Sequence, residues 1–281
     1  MHKLTRTLIA PSLAIAIALT ACTTVQTTKS GAIGVDRKQT FLLSQKQVES
    51  MSAQNYVQTL KTADSNKTLN PNPAQTARVR AIAQRLIAQT PVFRADAQSW
   101  KWEVNVQQNK EINAYCMAGG KIMVYTGLID QIKPTDDELA AVMGHEIAHA
   151  LREHSREQMS QAYIQQFGLL GLAAVVGIAT NDSNNAGATL ALGSTVAAVA
   201  LTLPHSRRDE HEADEIGLEL SARAGYNPNA AVSLWEKMGK VGSGKPPEFL
   251  STHPSDAART ADIKSHIPKV MPLYEAAAKR N

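Results

Sequence analysis

TDDELAAVMGHEIAHAL, residues 135–151, reads as one amphipathic helix with a clear start. Thr135 suits the N-cap, and Glu138 three residues on completes a capping box. Asp136 and Asp137 place negative charge in the first turn, where the helix dipole favours it. Leu139, Val142, Met143, Ile147, Ala150 and Leu151 form an apolar stripe wide enough for a buried helix. His145 and His149 stand at i and i+4, so both imidazoles project from one face, one turn apart. That spacing suits two ligands of a tetrahedral Zn2+. Glu146 points about 100° round the helix, where it meets a water on the metal and not the metal itself. In that place it can take a proton from the water and later pass it to a leaving amine. A catalytic zinc needs three protein ligands and one open position, so a third ligand must come from elsewhere in the chain.

The segments on either side give this helix a setting. Before it, Trp102 to Val106 alternates apolar with polar residues. Ile112 to Met117 and Lys121 to Thr126 flank the pair Gly119-Gly120, a hairpin signal. A small antiparallel sheet is therefore expected directly before the HExxH helix. Sixty residues downstream, Arg207 to Glu215 opens another helix with five carboxylates and His211. Spacing alone does not choose among them. Glu210 and Asp214 share a face, so one could bind zinc while the other holds a ligand histidine. His211, Glu212 and Glu215 point elsewhere and read as a solvated charged face. Farther along, Pro254 restricts His253 to extended backbone, giving a stiff loop able to aim the imidazole at the cleft. His253 then either binds the transition-state oxyanion or occupies the open position of zinc at rest; the plainer reading is a loop histidine that packs. Arg259 is expected to tie this loop to an acid, Asp214. His154, His205 and His266 read as surface or helix-end residues.

Outward again, helices are expected over 41–62 and after Pro73. GLLGLAAVVGIAT and AGATLALGSTVAAVALTL, within 168–203, read as a tightly packed helical hairpin, or else one that dips into a membrane or binds a partner. Residues 1–21 combine Lys3 and Arg6 with a short apolar run, which reads as a leader ending in a lipobox before Cys22. Residues 22–40 read as a flexible tether and 41–275 as the catalytic domain. Lipidation of Cys22 leaves Cys116 without a partner, so a buried structural thiol is expected there; an unmodified Cys22 could instead bridge to it. The 281 residues carry a net charge of +4, two units of it in the leader (Lys3 and Arg6), and 43% apolar residues. That composition supports a packed core and argues against nucleic acid as a partner.

HEIAH together with RRDEHEADEIGLELSARAGYNP (207–228), INAYCMAGGKIMVYTGLI (112–129) and FLSTHPSDAAR (249–259) resembles the HtpX-like and CAAX-prenyl-protease-like zinc endopeptidases of the gluzincins, particularly their soluble periplasmic lipoprotein branch. The likeness runs from about residue 36 to 268. It implies an α+β, mainly α fold: a gluzincin-like metalloprotease domain with a small antiparallel sheet beside the HExxH helix. It selects Glu210 as the third ligand of one Zn2+ per chain and Asp214 as the residue supporting a ligand. It implies that Gly119, Gly120, Lys121 and Ile122 line the cleft and pair with an extended substrate. Ala118 departs from a common Pro before the glycine pair, a change expected to alter the turn only. The implied substrates are unfolded or misassembled envelope proteins, and the alternative is a chaperone or assembly factor with a latent zinc site. Thr23 after Cys22 points, by analogy with proteobacterial sorting, to a lipid anchor in the outer membrane facing the periplasm. The oligomeric state has no signature in the sequence.

Overall fold

The computed structural model describes residues 22–166, 205–241, 247–253 and 257–279. The expected leader and the apolar 168–203 hairpin lie outside the described residues, as does Pro254. The chain divides into two compact units.

The first unit comprises, among the described residues, 22–25, 38–45 and 155–166. β1 (Thr23–Val25) pairs antiparallel with β2 (Gln39–Phe41). Phe41 is buried with the Arg156 guanidinium 4.0 Å over its ring. Gln39 donates from Nε2 to Glu157 on the helical stretch 155–166 (2.7 Å).

The second unit holds the HExxH helix. Residues 26–37, expected as part of a tether, pack within this unit. The Lys29 N–H donates to the Phe93 carbonyl (2.8 Å), the Ala32 N–H donates to Glu219 (2.6 Å), and Val35 is buried. Small polar residues do not mark such a segment as buried. Its contacts run through backbone groups and through the Arg37 side chain to partners far off in sequence, which composition does not report. α1 (Gln45–Ser65) follows, then α2 (Pro73–Ile87), whose start is capped by Asn72 accepting from the Ala74 and Gln75 N–H groups. α2 buries Val79, Ile82 and Leu86, the stripe its periodicity predicts.

β3 (Glu103–Gln107), β4 (Ala114–Met117) and β5 (Lys121–Tyr125) form one sheet in the order β3-β5-β4. The β4–β5 hairpin is antiparallel as expected, but β3 runs parallel to β5, so the sheet is mixed. The chain leaves β3 and crosses to the far edge, and the hairpin then returns β5 between the other two. Gly119 and Gly120 have φ of 77° and 81°, a left-handed region open to glycine. A Cβ on Gly120 would lie 2.6 Å from the Trp102 ring, so the turn needs glycine for space as well.

α3 (Thr126–Ile132) leads into α4 (Asp136–Leu151), the HExxH helix, with the Thr135–Glu138 capping box in place. α5 (Arg207–Arg223) packs against α4; α6 (Ala230–Lys240), α7 (Glu248–Thr252) and α8 (Ala257–Ala278) complete the unit. α4 and α5 meet backbone to backbone at two glycines. A Cβ on Gly217 would lie 2.7 Å from the His145 backbone nitrogen, and one on Gly144 would lie 2.9 Å from the Gly217 carbonyl oxygen. Gly217→Ala is therefore expected to push the helices apart at the first histidine. Overpacking of this kind costs about 1–3 kcal/mol, more than the helix propensity that alanine restores. A lower melting temperature together with reduced zinc content would show it; an unchanged melt would mean that the crossing tolerates a methyl group. Among the described residues, no helix is long and apolar enough to cross a membrane.

Candidate active site

α4 carries His145, Glu146 and His149, all buried, and α5 brings Glu210 against them. His253, just past α7, completes a buried group of four potential metal ligands. The His145 Nε2 lies 3.1 Å from the His149 Nε2, 3.3 Å from the His253 Nδ1 and 3.4 Å from the Glu210 Oε2. The Glu210 Oε1 lies 3.4 Å from the His149 Nε2 and 3.0 Å from the His253 Nδ1. Zinc bonds of ~2.0–2.1 Å in a tetrahedron place neighbouring donors about 3.3 Å apart. The residues therefore fit Zn2+ in number, type and spacing.

Behind the donors, Asp214 lies 3.0 Å from the His145 Nδ1. Arg259 donates to both Asp214 oxygens, at 2.7 and 2.8 Å, and its Nη1 lies 2.8 Å from Glu210. This is the anchor expected for Arg259, with the guanidinium also 4.6 Å over the Trp235 ring. Phe249 stacks on the His253 ring with centroids 4.6 Å apart, holding that imidazole against the ligands.

The electrostatics follow from burial among these partners. Burial opposes charge on His145, yet Asp214 and Glu210 push its pKa up to about 10. Burial likewise opposes charge on Glu210, but the three histidines around it hold the carboxylate far below its usual range. Burial and the neighbouring His205 lower His149, keeping it neutral as a donor requires. Glu146 is raised, chiefly by burial, which makes it a better proton acceptor. Its Oε1 makes no hydrogen bond and lies 3.5 Å from the His253 Nε2.

Three residues read as peripheral belong to the site. His154 is fully buried, with its Nδ1 2.9 Å from the His149 Nδ1. His205 packs against the His149 ring at a tilt with centroids 4.1 Å apart, and burial and His253 lower its pKa to about 3. Glu212 is buried and takes hydrogen bonds from Arg152 and Arg37. For His154 the reason lies in the backbone. α4 ends at Leu151 with Arg152 as its C-cap, and Glu153 takes a φ of 54°, a turn after which His154 lies against His149. Nothing in a glutamate announces a left-handed conformation. His211, Glu215 and His266 form half-buried pairs, His211 with Asp262 (3.0 Å) and His266 with Glu215 (3.2 Å).

The expected substrate strand needs correction. Gly119 and Gly120 form the turn, while Lys121 and Ile122 lie on β5, the central strand. Lys121 is paired with Glu103 and Met117, and Ile122 with Val104 and Cys116. Their backbone is engaged on both sides; the edges of the sheet are β3 and β4. Cys116, on β4, is a buried thiol whose pKa burial and Glu146 drive well up.

A family model described as peptidase family M48 matches residues 73–267, more than half of the chain. The mitochondrial metalloendopeptidase OMA1 of Arabidopsis thaliana is 40% identical over 159 residues, 57% of this chain and 30% of that protein. The metalloprotease LoiP of Escherichia coli is 28% identical over 260 residues, 91% of this chain and 94% of LoiP. The β-barrel assembly-enhancing protease of Escherichia coli is 27% identical over 208 residues, 72% of this chain and 41% of that protein. The chain thus spans less than half the length of two of these relatives and nearly all of the third.

Proposed function

The chain belongs to peptidase family M48, a family of zinc metallopeptidases, and from that premise we propose that it hydrolyses internal peptide bonds of unfolded or misassembled proteins in the bacterial envelope. One observation carries the reading: two helical histidines and Glu210 present donors at zinc spacing beside the buried Glu146, whose Oε1 no hydrogen bond engages. In it, His145, His149 and Glu210 hold the metal, Asp214 orients His145, and Cys22 carries a lipid anchor to the outer membrane. Zinc in this place supplies Lewis acidity, acidifying water and polarising a peptide carbonyl. Glu146 accepts the proton of the attacking water at its carboxylate and returns it to the amide nitrogen as the bond breaks. An extended substrate adds to β4, gripped by its main chain, so many side chains are tolerated.

The test is hydrolysis of unfolded casein by the purified full chain. A chelator should abolish cleavage, and stoichiometric zinc should restore it. Chelator-insensitive cleavage overturns the proposal.

A second reading draws on His253. Four protein ligands make a closed sphere, the pattern of structural zinc, and suit a chaperone or assembly factor with a latent site. We favour His253 as a latch over the ligand position that catalysis needs. His253→Ala should then raise casein hydrolysis several-fold. A loss would instead place His253 in transition-state binding, and no change would sink both roles.

A further inference from the structure

We propose that His154 and Glu212 form a positioning relay that fixes the tautomer and ring orientation of His149, with Arg37 and Arg152 as its anchors. The proposal rests on His149 being a metal ligand, as in the function proposed above. The His149 Nε2 faces the donor group, 3.1 Å from the His145 Nε2 and 3.4 Å from Glu210. Its other nitrogen, Nδ1, lies 2.9 Å from the His154 Nδ1. Two ring nitrogens at that distance share a single proton. A His149 that offers its Nε2 lone pair to a metal must carry its proton on Nδ1. The His149 Nδ1–H then donates, and the His154 Nδ1 accepts. The proton of His154 is thereby assigned to its Nε2, which lies 3.1 Å from the Glu212 Oε2. A carboxylate only accepts, so the direction of the whole chain is set from its far end.

That end is firmly held. Glu212 accepts from the Arg152 Nε at 2.9 Å and the Arg152 Nη2 at 2.7 Å. Arg37 donates to the same carboxylate from its Nε and Nη2. Arg152 also donates to the Arg37 carbonyl (3.1 Å) and to Thr27 (3.1 Å), so the segment 26–37 closes the network. The two ligand histidines thus reach carboxylates by different routes, His145 directly through Asp214 and His149 through one interposed imidazole. His154 lies outside the group of potential metal ligands, so it acts through His149. Carboxylate support of a ligand histidine typically changes metal affinity by 10–100-fold.

Histidine-selective 15N NMR of the zinc-loaded full chain tests the tautomers without any substitution. The expected result is His149 protonated on Nδ1 and His154 on Nε2; His149 protonated on Nε2 would overturn the relay. Chelator competition provides the second measurement. His154→Phe should weaken zinc binding roughly 10–100-fold while the metal-free protein stays folded, and unchanged affinity would refute the proposal. Should His154→Phe fail to fold, Glu212→Gln serves in its place. It should shift His149 toward a mixture of tautomers and weaken zinc, whereas a wild-type tautomer and affinity would count against the relay. Neither readout needs catalysis. An inactive chain with the expected tautomers would disprove the peptidase and leave the relay standing.

Discussion

Glu146→Gln is expected to lower kcat on unfolded casein by about 10²–10⁴-fold, the usual contribution of a positioned general base, while zinc stays bound at one ion per chain. The amide keeps the size of the carboxylate, so the buried place of Glu146 stays filled and α4 keeps its packing. It loses the basic oxygen, and with it the capacity to take a proton from water and return it to the leaving nitrogen. Burial raises the pKa of Glu146, which makes the native side chain a stronger base than an exposed glutamate. The ligands are other residues, so metal content should not change. Steady-state hydrolysis alongside zinc quantification separates the two effects. Full activity in Glu146→Gln would remove this residue from the chemistry, and loss of zinc would show that it also supports the ligands.

Arg259→Met is expected to destabilise the metal-free protein by about 3–5 kcal/mol, the cost of removing one partner from a buried ion cluster. Arg259 is almost fully buried and lies against both Asp214 and Glu210. Methionine has similar length but leaves two acids without their cation. At about 2–4 °C per kcal/mol, the melting temperature should fall on the order of 10 °C. Zinc compensates the charge on Glu210, so the loss should be smaller in the zinc-loaded protein. Arg259→Lys should not rescue fully, because a point charge cannot reproduce the fork that spans both Asp214 oxygens. Thermal melts of the variants with and without zinc check each step. A metal-free Arg259→Met protein melting within about 2 °C of wild type would show that the two acids find other compensation.

Reading the chain from its residues reached far into the site, and its misses share a cause. The capping box at Thr135, the histidine pair on α4, the glycine hairpin and the Glu210–Asp214 face all rest on spacings of one to four residues, and all are present. The mixed sheet, the edge role of β4, the folded 26–37 segment and the buried His154, His205 and Glu212 were not readable. Each depends on which segments meet in space. Glu212 looks like any charged helix residue until Arg37, 175 positions away in sequence, reaches its carboxylate.

The sequence by itself determined the HExxH helix, its start, the face carrying two imidazoles and the chemistry that face suits. A helix repeats every 3.6 residues, so side chains four apart are neighbours whatever surrounds them. Only the tertiary structure decided which strand is central in the sheet and that His253 joins the group of ligands. It also decided that His154 and Glu212 stand behind His149. These arrangements depend on contacts between distant segments and on single backbone turns such as that at Glu153, and local periodicity encodes neither.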